Sequence, residues 1–505
     1  MISDSAMRTT RRPPLGERVA AAIAPYGWSR LGVLWLGILV LAFVLPANGV
    51  TSAFLHGASA TAFGAIKDAL VLGMFVLVVV TGRLRRVPVP IVVLVLMIVG
   101  LGLVSGVWTS SLTQAAYGWR NDFLPFLALI VTPAVLDRRH VPILATAFVA
   151  VSQLAAITTI LTWSQGLKWL FTLGVFPVPT GAPFPSSLFV AGSIVPRGFS
   201  PYAAPNESAA VATMMLAVLW TRPRWPLWLK GTLTLLPLIA IYLTQSRSGY
   251  IGLAMLAVAL VAWAVFRVRP AMVWALLTIM TAAGVAGVTL YLYIDKVISH
   301  VADPSLIGHS DSLLENVPFL VTHPFGYGLG MVGPRALTFS SDAILVESFF
   351  LLLAIESGVL VMLLFAVLLV YLFQGGLRAR TLDGFLTSAV IAGSIVSFTV
   401  LPTLQEGPVA YTLWILCGMG IVAARSGGPG TARVHPRRLR EDRDAAAADI
   451  DIRAGQADSA PQGRTSGTVP LRRTARRTAP ARSAEGDDGG RGGRRGLRLP
   501  GDDGA

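Results

Sequence analysis

The chain has 505 residues, of which 54% are hydrophobic and only 13% are charged, and its mean hydropathy is +0.66. A soluble protein of this length cannot bury that much apolar surface, so lipid must cover much of it. The formal charge is +15. The basic residues stand in short connections between apolar runs and in the C-terminal tail, which favours a membrane surface over nucleic acid as partner. The single cysteine, Cys417, excludes an intrachain disulfide.

About twelve apolar runs approach the roughly 20 residues that a helix needs to cross the hydrocarbon. The sequence therefore predicts an all-α fold, a polytopic membrane helix bundle with about 12 transmembrane helices. The runs at 121–136 and 206–220 are short, and each is also consistent with a half-span. The predicted runs are 31–47, 62–81, 88–107, 121–136, 141–163, 206–220, 227–244, 249–266, 271–293, 344–373, 384–401 and 408–424.

Basic residues mark every second connection between these runs, after the second, fourth, sixth, eighth and tenth. Cytoplasmic loops carry such an excess of positive charge. The alternation predicts a multi-pass protein of the plasma membrane with both termini in the cytoplasm. The residues that carry the pattern are Arg83, Arg85, Arg86, Arg138, Arg139, Arg222, Arg224, Lys230, Arg267, Arg269, Arg378 and Arg380.

The predicted domains follow from these runs. Residues 1–29 form a cytoplasmic N-terminal leader, and 30–424 form the transmembrane domain. Two extracytoplasmic loops within that domain are long, at about 164–205 and about 294–343. The segment 425–505 is rich in Gly, Pro, Ala, Arg and Asp, so it cannot bury enough apolar surface to offset its ordering entropy. It is predicted to be a disordered basic cytoplasmic tail.

Arginines in the outward connections are the first candidates for function, because the orientation rule disfavours them there. Arg247 stands in Thr-Gln-Ser-Arg-Ser-Gly-Tyr at 244–250, a tight turn between two runs. A polar turn explains its neighbours, but an anion is the natural partner of this charge. Arg197, in Pro-Arg-Gly-Phe, is a second candidate. Asn206 either binds substrate or caps the helix that it begins, and the helix dipole is sufficient to explain Glu207.

The second long loop holds two histidines and an arginine. His309 follows Gly308, and His323 belongs to Thr-His-Pro-Phe-Gly-Tyr-Gly-Leu-Gly at 322–330. Each histidine is a candidate base or ligand, or else a structural cap. The alternating glycines are typical of phosphate-binding loops and equally of tight turns. Arg335 follows on the same loop as a further candidate for binding an anion.

Glu347 stands at the predicted outer end of the tenth helix. At about 100° per residue it shares a face with Leu351, Ala354 and Gly358. A carboxylate that leads an apolar helix is costly unless it is paired or functional. Glu356, nearly opposite and deeper, either belongs to the same network or is structural. No Walker loop, zinc-binding spacing, Asp-x-Asp pair or Gly-x-Ser-x-Gly motif occurs in the sequence, so no metal or cofactor is predicted.

At these residues the chain resembles the O-antigen ligase and polymerase superfamily of integral-membrane glycosyltransferases. The resemblance covers roughly 30–424. The ligase branch has His followed by Asn at the position of Glu347, so the Glu-Ser found here favours a polymerase or an uncharacterised branch. The matching pieces, in the family's order, are Arg-Gly-Phe…Pro-Asn at 197–206, Gln-Ser-Arg-Ser-Gly-Tyr at 245–250, the stretch at 322–330 and Glu-Ser…Glu-Ser-Gly-Val-Leu at 347–360.

The resemblance implies a metal-independent glycosyltransferase that polymerises or ligates undecaprenyl-pyrophosphate-linked oligosaccharide outside the plasma membrane, in surface polysaccharide biosynthesis. Its implied partners are the lipid-linked oligosaccharide donor, a glycan or lipid acceptor, and membrane lipids. Fixed arginines suit the charge that grows on the leaving pyrophosphate, and a carboxylate or imidazole suits the acceptor proton. The candidate catalytic residues are Arg247, Glu347 and His323, and the candidate substrate-binding residues are Arg197, Asn206, His309 and Arg335.

A secondary transporter or a flippase for a lipid-linked glycan is the main alternative. It needs ionisable residues near the membrane midplane, and the runs have almost none apart from Lys67 and Asp68 near one end. A peptidoglycan polymerase of the shape, elongation and division type is a related alternative. A non-enzymatic scaffold is the last, and the outward arginines count against it.

Overall fold

The described part of the chain is all-helical. It contains no β-strand, and an isolated bridge joins Val332 to Ile344. The chain divides into two compact units, Met1–Ala432 and Arg433–Ala505, and all described residues lie in the first. The computed structural model describes residues 27–39, 58–109, 111–166, 195–200, 204–266, 315–316, 318–339 and 343–425, with a few isolated positions before residue 27.

Helices follow one another along the described chain in the order of the apolar runs. The predicted run at 271–293, most of the two long loops and the tail beyond Arg425 lie outside the described residues. The α-helices with described bounds are α1 (Trp28–Ile38), α2 (Ala58–Val80), α3 (Val89–Ser105), α4 (Leu112–Asp122), α5 (Leu127–Val135), α6 (Val141–Gln165), α7 (Pro205–Trp220), α8 (Leu227–Thr244), α9 (Arg247–Phe266), α10 (Phe349–Ser357), α11 (Val359–Leu377), α12 (Leu386–Val400) and α13 (Gly407–Arg425).

Six helical segments of the described part are long and apolar enough to cross a membrane. The outward surfaces of α3 and α11 are also apolar, with Leu96 and Met97 exposed on α3 and Leu363 and Val367 on α11. Continuous exposed apolar surface of this kind suits contact with lipid rather than water. The total of twelve spans stays a prediction. The six segments are Val89–Trp108, Arg138–Gln165, Leu227–Thr244, Arg247–Val265, Val359–Leu377 and Gly407–Arg425.

Helix α13 lies at the centre of the bundle, packs against α5, α7, α11 and α12, and is almost entirely buried. Its Trp414 ring lies 4.6 Å, between centroids, from the ring of Phe126. Small residues bring its neighbours close: Gly420 faces Thr387 of α12 with no room for a Cβ atom. Contacts of this kind let helix backbones approach each other inside a membrane bundle.

The run predicted at 344–373 is two helices rather than one. Helices α10 and α11 meet at Gly358, whose φ is +95° and where a Cβ atom would lie 2.8 Å from the carbonyl oxygen of Pro324. Ser348 caps α10. The prediction that Glu347 heads a helix face is therefore wrong, because Glu347 precedes the cap.

Helix α4 is absent from the predicted runs, which place the start of the fourth at residue 121. It is amphipathic, with Gln114 and Asp122 buried together with Ala115 and Gly118. A criterion based on continuous apolar sequence cannot detect such a helix. A short 3₁₀ turn at Leu124–Phe126 connects it to α5.

The bundle has two chemically different ends. The basic end is defined here by Arg83, Arg85, Arg86, Arg138, Arg139, Arg222, Arg224, Arg378, Arg380 and Arg425, and the mixed-charge end by Lys67, Asp68, Arg120, Arg197, Glu207, Arg247, Arg335 and Glu406. Gly384 packs against Ala424, which joins the start of α12 to the last turn of α13 at the basic end. The 19 residues of α13 rise about 28 Å from one end to the other, close to the roughly 30 Å of a hydrocarbon core.

Candidate functional site

Arg197 ties together three segments of chain at the mixed-charge end. Its Nε donates to the carbonyl oxygen of Thr244 at 2.8 Å, where α8 ends, and its Nη2 donates to Oδ1 of Asn206 at 2.9 Å, in the first turn of α7. The backbone N–H of Gly198 also donates to the carbonyl oxygen of Leu243 at 2.7 Å. The guanidinium group is therefore held in a fixed orientation.

Asn206 positions side chains instead of capping its helix. The N-cap of α7 is Ala204, and it makes no side-chain cap hydrogen bond, so the capping interpretation is wrong. Oδ1 of Asn206 accepts hydrogen bonds from Arg197 and from Oγ of Ser246, the second at 2.9 Å. No local pattern around Asn206 indicates this role, because Ser246 stands 40 positions along the chain.

Arg247 is the first residue of α9 and is exposed. Ser246 precedes it and caps the helix, since the N–H of Gly249 points to Oγ of Ser246 at 3.4 Å. A cation at a helix N-terminus opposes the helix dipole. Neither the dipole nor the orientation rule explains an arginine at this position, whereas a bound anion would benefit from both the charge and the dipole.

The two arginines lie in one electrostatic environment. Burial lowers the pKa of Arg197, nearby Glu207 and Tyr250 raise it, and Arg247 lowers it further. Arg247 therefore lies close enough to disfavour the charge on Arg197. Two cations in this relation repel unless an anion is placed between or beside them.

Glu207 supplies a carboxyl group next to these arginines. Its place in the first turn of α7 agrees with the helix dipole, but its Oε2 is buried and accepts no hydrogen bond from any described residue. It interacts electrostatically with Glu406, Arg335 and Arg197. The arginine cluster, defined as Arg197, Asn206, Glu207, Ser246 and Arg247, thus combines two cations with a carboxyl group.

Arg335 is bound by Glu406, which lies between α12 and α13. Its Nε donates to Oε1 at 3.0 Å and its Nη2 donates to Oε2. The Glu406 carboxylate raises the pKa of Arg335. The charge of Arg335 is therefore already balanced, and an anionic substrate would have to compete with Glu406 for it.

A further ion-pair group on α2 and α4 adjoins this pair. Arg120 forms an ion pair with Asp68, and Nζ of Lys67 lies 3.9 Å from Oδ1 of the same carboxylate. Lys67 also interacts electrostatically with Arg335 and Glu406. The sequence placed Lys67 and Asp68 near one end of a run, and they join the mixed-charge end through these contacts.

Two carboxyl groups are fully buried behind this layer. Glu356 is 0% exposed and Asp122 is 2% exposed. The backbone N–H of Val332 donates to Oε1 of Glu356 at 3.2 Å, and Asp122 lies beside both Glu356 and Gln405. A proton on either carboxyl would let the two form a hydrogen bond. The sequence alone leaves the role of Glu356 open and does not indicate a role for Asp122.

The glycines of the stretch at 322–330 allow close packing. Gly326, Gly328 and Gly330 all have positive φ. The N–H of Gly328 donates to the carbonyl oxygen of Glu356 at 3.1 Å, and that same carbonyl leaves no room for a Cβ atom at Gly326. Gln114 of α4 donates from Nε2 to the carbonyl oxygen of Gly330 at 2.8 Å. This geometry favours the tight-turn interpretation over a phosphate-binding loop.

The remaining sequence candidates stand apart from the arginine cluster along the chain. His323 lies against the rings of Phe319 and Tyr327, and its Nδ1 is 2.9 Å from Oγ1 of Thr322. Glu347 lies between the Val332–Ile344 bridge and α10. His309 is outside the described residues. The catalytic roles of His323 and Glu347 and the binding role of His309 stay predictions.

The arginine cluster can bind an anion, and the buried carboxyl group of Glu207 beside it can take part in proton transfer. Within the described ranges, no group of three or more His, Cys, Asp or Glu side chains is arranged to hold a metal ion. No protein-family model matches the chain, and no curated protein is significantly similar to it.

Proposed function

We propose that this chain is a membrane glycosyltransferase that moves an oligosaccharide from an undecaprenyl-pyrophosphate carrier to an acceptor hydroxyl. The observation that supports it best is the arginine cluster, in which Arg197 and Arg247 lie close together beside Glu207. Two neighbouring guanidinium groups suit the binding of an anion, and a lipid pyrophosphate is an anion that a membrane offers. The order of the matching sequence pieces supports the same reaction.

The chemical step is a single displacement at the anomeric carbon. The acceptor oxygen forms a bond to that carbon, and the bond from the carbon to the pyrophosphate oxygen breaks. Negative charge grows on the leaving pyrophosphate, where Arg247 and Arg197 stabilise it. The acceptor proton passes to a carboxylate, either Glu207, which adjoins the arginines, or Glu347, which the family resemblance favours. The products are the extended glycan and undecaprenyl pyrophosphate.

The proposed topology has about twelve spans, with the mixed-charge end outside the plasma membrane and both termini inside. The excess of arginine at the other end supports this orientation. The Glu-Ser pair at 347–348 favours a polymerase over a ligase. The carrier's isoprenoid chain would lie between helices at the lipid-facing surface of the bundle.

A transporter or flippase for a lipid-linked glycan is the second candidate, and buried Asp122 and Glu356 are the observation that favours it. Paired carboxyl groups can carry a proton in transporters. Their position along the membrane normal counts against transport, because a transporter needs ionisable groups near the midplane. Helix α11 has 19 residues, so Glu356 lies about 28 Å from the basic end and not at the midplane.

Reconstitution tests the proposed reaction. The purified chain in liposomes, given the lipid-linked oligosaccharide that accumulates when the protein is depleted from cells, should form longer glycan and release undecaprenyl pyrophosphate. Arg247→Ala should slow this by roughly a hundredfold or more, the usual loss for a group that stabilises transition-state charge. Arg247→Lys should also be slow, because lysine lacks the planar fork of donors.

Two comparisons sharpen the result. Glu207→Gln and Glu347→Gln should differ, and the base is the residue whose loss lowers kcat more than it weakens donor binding. Arg378→Ala, an exposed arginine at the basic end, is the matched control and should act as wild type. Transfer of labelled lipid across the bilayer with no new glycosidic bond would contradict the enzyme and support the flippase.

A further inference from the structure

An open surface cavity of about 530 Å³ lies at the basic end, between the turn after α2, the turn after α5 and the last residues of α13. Cavities of this size hold small ligands. Its floor is apolar and buried, formed by Val87, Pro133, Leu136 and Val422. Its rim is exposed and basic, formed by Arg85, Arg86, Arg138 and Arg425.

The charge of this cavity is unbalanced. Its four arginines face one carboxylate, Asp137, and that carboxylate already accepts from Nη1 of Arg86 at 3.2 Å. Among the described residues, no carboxylate lies within 4.0 Å of Arg85, Arg138 or Arg425. Arg335 and Arg120 at the mixed-charge end each have an acidic partner. An external anion would balance the cavity.

The walls of the cavity are held in place. Arg425 donates from Nη1 to the carbonyl oxygen of Pro133 at 3.3 Å, and Arg83 donates to the carbonyl oxygen of Ala134 at 3.2 Å. The guanidinium group of Arg83 also lies 4.4 Å from the ring centroid of Trp28. Burial lowers the pKa of Arg83 to about 10, so it is still charged at neutral pH. A site built in this way needs little ordering when it binds a ligand.

The position of the cavity identifies the class of ligand. It lies where the membrane-crossing segments Val89–Trp108 and Gly407–Arg425 have their ends at the basic end. A group bound there contacts the arginines at the rim and the apolar side chains at the floor. The phosphate and upper acyl chain of an anionic phospholipid have that arrangement, and basic pockets between transmembrane helices suit such headgroups.

We propose that this cavity binds the headgroup of an anionic phospholipid in the leaflet at the basic end. The phosphate lies among Arg85, Arg138 and Arg425, and the glycerol backbone contacts the floor at Val87 and Leu136. This site is independent of the chemistry proposed for the arginine cluster. It stabilises the packing of α13 against the turn after α5, at the opposite end of the bundle.

Lipid binding to the purified full-length chain in detergent tests the proposal. Wild type should bind fluorescent phosphatidylglycerol more tightly than phosphatidylcholine. The double variant Arg85→Ala/Arg138→Ala should lose about twenty-fivefold in affinity, at roughly fivefold for each arginine near a membrane surface. Both side chains are exposed, so folding should be preserved. Arg138→Gln alone, which should cost about fivefold, provides a milder variant if the double variant does not fold.

The matched control is Arg224→Ala/Arg378→Ala, which removes two exposed arginines of the same end that do not line the cavity. It should change the affinity by less than about twofold. An equal loss in both double variants would mean diffuse attraction and overturn the site. Equal binding of the two lipids would also overturn the site. Full competition by equimolar inorganic phosphate would show a site for a free anion and overturn the lipid assignment.

Discussion

The two ends of the bundle hold their arginines in different ways. At the mixed-charge end Arg120 and Arg335 are bound by carboxylates, and Arg197 is bound by a carbonyl and an amide oxygen. At the basic end Arg85 and Arg138 are exposed, with no carboxylate within 4.0 Å among the described residues. Other arginines of the basic end do have partners, and Arg222 pairs with Asp383 at 3.2 Å. The difference between the ends therefore lies in the exposed arginines that line the cavity, and does not extend to every arginine of the basic end.

This difference shows why position alone is a weak guide to an arginine's role. In the proposed topology, the arginines of the basic end satisfy the rule of membrane orientation, which requires only charge. In the same topology the arginines of the mixed-charge end stand against that rule, and Arg120, Arg197 and Arg335 each have contacts of their own. Arg247 is the exposed arginine among them, at a helix N-terminus, which makes it the residue through which this end would meet an anion.

The most damaging change to the mixed-charge end should be Gly326→Ala. Its φ of +100° strains an alanine, and the new Cβ atom would collide with the backbone carbonyl of Glu356. The expected loss is about 2–5 kcal/mol of unfolding free energy, from strain and overpacking together. The control is Gly100→Ala within α3, where no atom lies within 4 Å of the added Cβ. Thermal unfolding in detergent measures both, and an equally small effect would show that the loop does not pack as described.

A smaller effect is expected from Glu406→Gln, which breaks the two-point contact with Arg335. The side chains of Arg335 and Glu406 are 38% and 20% exposed, so screening reduces the loss to about 1–2 kcal/mol. Asp137→Asn breaks the matched pair at the basic end, whose side chains are 45% and 41% exposed, and should cost about 0.5 kcal/mol or less. If the two losses measured by thermal unfolding are equal, the two ends do not differ in the way described.

The sequence predicts the long apolar helices well, because a hydrophobic run is a local property. Prediction from the sequence fails where tertiary contacts determine whether a helix forms or where it ends. Helix α4 carries buried polar residues that the bundle accepts, so it has no apolar run. The break at Gly358 directly follows Glu356 and Ser357, and there the chain at Pro324 packs against the backbone and leaves no room for a Cβ atom. That contact cannot be seen from either segment alone.

The site is predictable only as a set of candidate residues. Arg197 and Arg247 stand out in the sequence because the predicted topology puts them in outward connections, and in the structure they lie near each other. The sequence does not reveal the partner of Arg335. Glu406 stands 71 positions away, and nothing in its local sequence distinguishes it from other acidic residues in loops. The helix dipole of α7 is a sufficient reason for an acidic residue at Glu207, so the sequence does not indicate a further role. Its interaction with Arg197 is visible only in the folded bundle.

The central claim is that the mixed-charge end faces outward and the basic end faces the cytoplasm. Single cysteines at Leu337, which is 50% exposed, and at exposed Arg224 test it in a Cys417→Ala background, since Cys417 is buried. With a membrane-impermeant maleimide, Leu337→Cys should be labelled in intact cells and Arg224→Cys only after lysis. Labelling of Arg224→Cys in intact cells, with Leu337→Cys protected until lysis, would reverse the topology and contradict the proposed outer active site.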